Sequence, residues 1–307
     1  MKQGDYMVDF KAMKANRQNR LESLKQELAN AGKKKTFQNE DNDPTFWKLE
    51  VDKAGNGFAV IRFLDSDKEI PYVTYWDHGF KGPGGYYIEK SLTSIGLPDP
   101  VADLNSKLWK SGDKDTARAQ KRRLHHVSNI LVIKDSKNPD NEGKVFKFKY
   151  GVKIMEKLNE AMMPPFDEEG RSPDDEDYDP VNAFNPFCIW NGAALKLAAR
   201  KVKDFRNYDS SEFQKQSPLA ASEEEMEEIM SQTYDLDEIL DPSNFKTREE
   251  LEARLNKILG NEVVQNSADR ETKEAPSRKT KESTKTSIDE DEDEIDLDAL
   301  IGSIESE

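Results

Sequence analysis

The sequence predicts a mostly β protein, a small barrel with helical additions. Between residues 46 and 202, apolar runs of strand length alternate with glycine-rich turns such as "AGNG" and "KGPGG". Helix-type periodicity is confined to a few segments, one of which opens at Thr247 with Glu250 three residues later, the spacing of a capping box. Many short strands joined by tight turns are typical of small barrels.

The elements can be assigned in chain order from these patterns. Strands are predicted where apolar and β-branched residues cluster between turn signals, at residues 46–51, 58–64, 71–80, 86–92, 125–135, 144–151 and 187–202. Helices are predicted where good helix formers carry helical spacing, at residues 9–30, 115–123, 152–163, 222–240 and 246–260.

One strand has an unusually regular alternation of aromatic residues and lysines. In "VFKFKY", Phe146, Phe148 and Tyr150 share one face, and Lys147 and Lys149 share the other. The aromatic face could belong to the core, with the lysines solvated, or it could form a surface for a flat, anionic ligand. On the pattern alone, the half-buried strand with a wet lysine face is favoured.

Charge divides the chain into three parts. Residues 1–35 form a basic arm with nine Lys/Arg against four Asp/Glu, residues 36–260 form the core, and residues 261–307 form a flexible linker and an acidic tail. After Thr286 the chain has ten acidic residues and no basic one. The formal charge is −15, yet residues 107–153 hold thirteen Lys/Arg against five Asp/Glu. A local basic surface is therefore compatible with the acidic total.

Catalysis and metal binding have little support in the sequence. No P-loop, nucleophile elbow or HExxH string is present. The single cysteine, Cys188, lies in an apolar segment, which favours a structural thiol over a nucleophile. The adjacent His125 and His126 would point to opposite faces of a strand. No apolar run reaches the roughly 18 residues that span a bilayer, so we expect a soluble intracellular protein that is not an enzyme.

Basic and aromatic residues give the strongest functional signal. Lys121, Arg122 and Arg123 directly precede a predicted strand. In "DFRNYD", Phe205 and Tyr208 flank Arg206. Each feature alone has a structural explanation, such as a charged helix end or a solvated strand face. Cations together with exposed aromatic faces are what binding of a single nucleic-acid strand requires, because cations meet phosphates and bases stack on the rings.

Collinear strings between residues 47 and 217 resemble the single-stranded-DNA-binding (helix-destabilising) proteins of T-even-type bacteriophages. The strings are "WKLEVDKAGNGFAVIRFL", "HGFK", "YYIE", "NILVIKD", "NEGKVFKFKYGVKI", "WNGA" and "FRNYDSSEFQKQS". The resemblance implies an OB-fold core, a five-stranded Greek-key barrel that binds single-stranded DNA in a basic, aromatic-lined cleft. It also implies a role in DNA replication, recombination and repair in the cytoplasm of the infected bacterial host.

The resemblance further implies which side chains contact the DNA. Phe148 is expected to be a stacking platform, and His126 stands where the family has a stacking tyrosine, so that its imidazole can still stack on a base. Val127 replaces a family tryptophan, a loss for which Trp109 could compensate. The expected DNA-binding set is Arg62, Lys81, Trp109, Lys121, Arg122, Arg123, His126, Lys147, Phe148, Phe205 and Tyr208.

The family's zinc module is the largest departure. The family pattern is one histidine and three cysteines, and His78 matches the histidine. Ser91, Val101 and Leu104 stand at the cysteine positions. Serine is a poor zinc ligand, and valine and leucine are none. We expect this lobe to fold without a cofactor, with apolar packing in place of part of the ligand set.

The implied partners are single-stranded DNA, neighbouring copies joined head to tail through the N-terminal arm, and replication, recombination and repair proteins. The acidic tail would bind those proteins and compete with DNA for the cleft; no membrane partner is expected. Two other interpretations remain open: a protein-interaction hub whose core is only a scaffold, and an OB-fold RNA-binding protein. A nuclease is not favoured, because the carboxylate pairs lie in solvated charge runs.

Overall fold

The structure, a computed structural model, describes residues 43–202 and 205–260. The predicted arm of residues 1–35, with its helix at 9–30, and the tail of residues 261–307 lie outside the described residues. The described part is mostly β with five α-helices, which confirms the predicted class at that level. None of these helices has the length and apolar content needed to cross a bilayer.

Nine strands of the described chain join into one sheet. They are β1 (Phe46–Trp47), β2 (Gly57–Phe63), β3 (Tyr72–Gly82), β4 (Gly85–Lys90), β5 (Arg123–Asp135), β6 (Val145–Tyr150), β7 (Leu195–Val202), β8 (Phe205–Asn207) and β9 (Glu212–Phe213). The path runs β1-β6-β5-β2-β7-β8, with β3 between β4 and β5 and with β9 on β7. Only the β1–β6 pair is parallel among these strands.

The thirteen-residue strand β5 organises the sheet. Along one edge its first half pairs with β3, from Asp77 opposite Arg123 to Tyr72 opposite Ser128, and its second half pairs with β2. Its other edge pairs with β6. Because partners directly opposite share a face, this register fixes the direction of every side chain on three neighbouring strands.

The main core lies on one face of this sheet. Phe148 and Tyr150 of β6 stack at 5.5 Å between ring centroids, and both rings also approach Phe63 of β2. Trp47 of β1 meets Phe148 edge-on at 5.4 Å, and Phe146 is partly buried against the same cluster. The aromatic face of "VFKFKY" is therefore a core face.

The opposite face of β5 and β6 is covered by the chain after residue 218. Leu131 and Val145 pack with residues of the segment 219–234, and Val127 packs with Leu236 and Ile239. Asn129 fixes this segment, since its amide nitrogen donates to the Tyr234 carbonyl at 2.9 Å and its amide oxygen accepts from the Tyr234 backbone nitrogen at 3.0 Å.

A second apolar cluster joins the β3–β4 hairpin to helices. The described α-helices are α1 (Pro100–Ser111), α2 (Lys114–Ala119), α3 (Val152–Met162), α4 (Glu223–Met230) and α5 (Arg248–Leu259), of which α1 and α5 contribute to this cluster. Leu251, Leu255 and Ile258 of α5 pack on Phe80 and Tyr87 of the hairpin. The hairpin tip touches α5 so closely that a Cβ on Gly82 would lie 2.5 Å from the Ile258 carbonyl oxygen. The predicted capping box at Thr247 is confirmed.

Several predicted boundaries were wrong for local reasons. Helix α1 was missed, although Asp99 caps it by accepting from the backbone nitrogens of Val101 and Ala102. Residues 187–194 form turns rather than the start of a strand, and the helix predicted at 222–240 ends at Met230. Helix α2 ends at Ala119, so none of the three basic residues is helical: Lys121 and Arg122 directly precede β5, and Arg123 is its first residue.

Phe148→Ala is expected to lower the free energy of unfolding by about 3–5 kcal/mol, because it removes a buried aromatic ring and leaves a cavity. Urea denaturation of the full chain measures this. Phe166→Ala removes an exposed ring and serves as the matched control, with an expected change within about 0.5 kcal/mol. Equal stability of the two variants would contradict the core assignment.

Candidate nucleic-acid interface

The three basic residues at the start of β5 separate into different environments. Arg122 stacks its guanidinium over the Trp76 ring, 4.2 Å from the centroid, and its Nη1 donates to Thr93 Oγ1 at 2.8 Å. Arg123 turns to the other face, where its Nε donates to Asp77 Oδ1 at 2.9 Å. Lys121 is exposed. Only Lys121 and Arg122 are therefore well placed to meet a ligand in solution.

Asp77 forms a buried ionic cluster behind this surface. Its Oδ2 lies 3.0 Å from His125 Nε2, and its Oδ1 accepts from Arg123. Burial raises the pKa of the Asp77 carboxyl, but the charges of His125, Arg123 and Lys149 outweigh burial, so the pKa falls well below its usual range. The carboxylate thus stays ionised and holds Arg123 in the structure.

Aromatic side chains run along β3 on the same face as Arg122. Tyr72 and Trp76 have the same parity and are both half-buried. Tyr72 stacks on Phe187 at 6.1 Å with an interplanar angle of 29°, and it meets His126 edge-on at 5.8 Å. The sequence analysis did not single out Tyr72 or Trp76, because "YVTYW" shows no alternation of aromatic residues and lysines.

Two further aromatic rings, on α1 and on the β3–β4 hairpin, have cations beside them. Trp109 of α1 is 51% exposed, and Lys114 and Arg118 approach its ring at 5.5 and 5.6 Å. On the β3–β4 hairpin, Lys81 is exposed and lies over the Tyr86 ring at 5.1 Å. A cation beside an accessible ring is the pairing that a nucleotide can use, with phosphate near the charge and base near the ring.

The β7–β8 hairpin carries the remaining aromatic residues predicted to bind. Phe205 is exposed at the start of β8. Tyr208 is partly buried and packs against the main core. Of the two, Phe205 is thus the ring that solvent reaches.

Three residues of the predicted set are buried, which corrects the expectation that they are accessible to DNA. Phe148 is 5% exposed inside the main core, so its ring has no free face for a base. Arg62 is 2% exposed and donates from Nη2 to the Cys188 carbonyl at 2.6 Å. His126 is buried and stacks on Tyr150 at 5.5 Å, and burial lowers its pKa to about 4.

Lys147 lies on the other face of β6 from these aromatic residues. Its ammonium is 4.5 Å from the Phe46 centroid and 5.5 Å from the Tyr234 centroid. These contacts place it with the segment that covers the outer face of β5 and β6. Lys147 is therefore separated from Arg122, Trp76 and Tyr72 by the sheet itself.

The four positions of the family's zinc pattern do not fit a zinc ion. His78 Nε2 lies 3.1 Å from Asp99 Oδ1, and both side chains are buried. Ser91 Oγ is hydrogen-bonded to Thr93 Oγ1, and Val101 and Leu104 belong to the second apolar cluster. One imidazole without thiolates is not a structural zinc site. No group of three potential ligands for a metal occurs within residues 43–202 and 205–260.

Asp99 takes over a structural role at this position. Burial raises the pKa of its carboxyl, but the hydrogen bond and charge of His78 outweigh burial and bring the pKa down to about 2. The carboxylate also accepts from the backbone nitrogens of Leu92, Val101 and Ala102. His78 is thereby tied to the start of α1 and to the turn that follows β4.

Sequence comparison identifies relatives along most of the chain. The family described as "gp32 DNA binding protein like" matches residues 55–259. The chain is 37% identical over 260 residues to the single-stranded DNA-binding protein of Enterobacteria phage T4, with 82% of each chain covered. It is 38% identical over 253 residues to the protein of the same name from Enterobacteria phage T2, with 80% of this chain and 79% of the relative covered.

A shorter match concerns the single-stranded DNA-binding protein of Escherichia phage SV14. Identity there is 43% over 91 residues, which cover 28% of this chain and 79% of that relative. The family match alone spans almost all of the sheet described above and its five helices. By this match and the two long alignments, the chain belongs to the gp32-like family of DNA-binding proteins.

Proposed function

We propose that this chain is a cooperative, sequence-tolerant single-stranded-DNA-binding protein that acts in phage DNA replication, recombination and repair inside the infected bacterial cell. The observation that carries the proposal is the Arg122–Trp76 pair, a guanidinium 4.2 Å above a half-buried indole at the start of β5. Family membership and the names of the relatives support it.

Binding would rest on two kinds of contact. Bases stack on rings of the β3 face and on Trp109, each contributing roughly 1–3 kcal/mol, without regard to base identity. Phosphates meet Arg122, Lys121 and Lys81, so affinity falls as salt rises. The proposed role is binding without a catalytic step. We also propose that the core is an OB fold and that the β3 face corresponds to the cleft side of its barrel.

The acidic tail has a physical route to this surface. Residue 260, the last described before the tail, is next to Pro83 on the β3–β4 hairpin, and the Gly84 nitrogen donates to the Ile258 carbonyl at 2.8 Å. Lys81 is on this hairpin. A linker of about 25 residues spans roughly 25–30 Å as a random coil. The ten tail acids could therefore compete with DNA for the cations and, once displaced, bind replication, recombination and repair proteins.

Self-association is proposed for the basic arm of residues 1–35. Its nine Lys/Arg and its leucines at helical spacing suit a contact with an adjacent copy on the same strand. Head-to-tail contact of this kind would make binding cooperative on long DNA, because each bound copy offers a site to the next.

We also propose that the lobe around His78 is stable without metal. The His78–Asp99 pair and the apolar cluster with Val101 and Leu104 support this. Both supply contacts that a zinc ion would otherwise provide between β3, the turn after β4 and α1.

Trp76→Ala is expected to weaken binding of fluorescent oligo-dT by about 1–3 kcal/mol through lost stacking. Arg122→Ala should weaken binding and reduce the salt slope by about 0.7–1 through one lost phosphate contact. Anisotropy titrations across NaCl concentrations measure both.

The matched controls for these two variants are Phe166→Ala and Lys134→Ala. Phe166 is an exposed ring directly before the acidic loop, residues 167–180. Lys134 is exposed at the far end of β5 from Arg122. Both controls should bind nearly as wild type. Wild-type affinity and salt slope in both Trp76→Ala and Arg122→Ala would refute this location of the site.

Deleting residues 287–307 is expected to raise oligo-dT affinity at low salt and to change the salt slope, because a competing polyanion is removed. A chain of unchanged length whose ten tail acids are replaced by Asn and Gln is the matched variant and should behave like the deletion. Unchanged affinity and slope in both chains would rule out competition by the tail.

Removal of metal is expected to leave the protein unchanged. Purified full-length chain should contain no stoichiometric zinc by total metal analysis, and EDTA should not shift its melting temperature. About one zinc per chain together with a lower melting temperature in EDTA would contradict the proposal of a metal-free lobe.

A further inference from the structure

An exposed tryptophan stands at the tip of a firmly held turn between the acidic loop and β7. Trp190 is 55% exposed. The turn that carries it, residues 185–192, is closed by hydrogen bonds from the Cys188 nitrogen to the Asn185 carbonyl at 3.1 Å and from the Gly192 nitrogen to the Cys188 carbonyl at 2.9 Å. A large indole left in solvent on ordered backbone is unusual, because tryptophan is on average highly buried.

Phe187 anchors one side of this turn. Its ring is fully buried, meets Phe63 of β2 edge-on at 5.4 Å, and stacks on Tyr72 of β3 at 6.1 Å. Tyr72 is on the strand face that also carries Trp76, four residues along. The turn is therefore packed directly against the aromatic face of the candidate interface, and Trp190 is three residues from the contact.

Arg62 anchors the turn from beneath. Its Nη2 donates to the carbonyl oxygens of Cys188 and Ser217 at 2.6 and 3.3 Å. Gly192 permits this approach, since a Cβ there would lie 2.6 Å from Nη2. Backbone bonds from Leu219 to Ile189 at 2.7 Å and from Ser217 to Gly192 at 2.9 Å complete the attachment.

The anchoring by Arg62 comes at a cost in stability. Its Nε and Nη1 are buried without a hydrogen-bond partner among the described residues. Burial lowers the pKa of the guanidinium to about 10. A buried cation with incomplete hydrogen bonding destabilises a fold relative to an apolar side chain of similar size. A function of the turn would explain why a buried cation holds it despite this cost.

We infer that Trp190 is a further base-stacking residue of the single-strand site and that Arg62 is its positioning residue. The inference rests on the proposed function. The ligand is a nucleobase of a single strand, and the indole extends the aromatic face beyond Tyr72. Because the turn is held from two sides, its backbone needs little further ordering when a base stacks on the indole.

Trp190→Ala is expected to weaken oligo-dT binding roughly 5- to 150-fold, while Trp190→Phe retains most of the affinity because it keeps a stacking face. The matched control is Phe166→Ala, which removes a ring of comparable exposure, 62% against 55%. Melting temperatures of all three variants should match wild type. A Trp190→Ala chain that binds like the control overturns the inference.

Arg62→Met tests the positioning role in the full chain. It should keep or raise the melting temperature, and it should weaken oligo-dT binding measurably, though by no more than Trp190→Ala does. In the Trp190→Ala background it should have no further effect on binding, and the salt slope should stay at the wild-type value. A loss of about one from the salt slope would instead assign Arg62 a direct phosphate contact and overturn the positioning role.

These outcomes can be separated from a failure of the proposed function. Suppose that the wild-type chain binds oligo-dT tightly and that Trp76→Ala and Arg122→Ala weaken binding, whereas the Trp190 and Arg62 variants bind like wild type. The inference about Trp190 then fails, and the proposed function stands. If the wild-type chain itself does not prefer single-stranded DNA, the proposed function fails, and the variants have no site to report on.

Discussion

The register of β5 is the constraint on which the rest of the structure depends. Thirteen residues pair with β3 and β2 on one edge and with β6 on the other. Because side chains alternate between faces, a shift of one residue would exchange the environments of Arg122 and Arg123. In the observed register Arg122 stacks on Trp76, and Arg123 is tied to the buried Asp77. Arg122 therefore belongs to the candidate interface, whereas its neighbour Arg123 stabilises the fold.

The same register determines which side chains of "VFKFKY" enter the main core. Phe148 lies opposite Ser128 and Tyr150 opposite His126, which directs their rings into the main core. The simple interpretation of the alternation, a half-buried strand, describes this strand better than the transfer of a stacking role from the family. Alignment to a binding position specifies a residue type but says nothing about burial, which depends on the chain packed against it.

Local patterns predicted the larger elements well. The strands β2, β3, β5 and β6 and the helix after Thr247 follow from alternation, turn glycines and a capping box. Features set by tertiary contacts were not predictable in this way. Trp190 lies in a segment whose apolar run resembles a strand. The segment instead forms a turn that the contacts of Phe187 and Arg62 hold, and Trp190 is exposed on this turn. Likewise, the burial of Arg62 depends on carbonyl oxygens more than a hundred residues away.

The most direct measurement is a competition titration of the full-length chain bound to fluorescent oligo-dT, with unlabelled oligo-dT, oligo-U and duplex DNA of equal length as competitors. The account predicts tight, salt-sensitive binding that oligo-dT competes for best and duplex DNA poorly, because a duplex keeps its bases stacked and unavailable to the aromatic face. Weak, salt-insensitive binding, or equal competition by duplex DNA, would contradict it, and preferential competition by oligo-U would assign the surface to RNA.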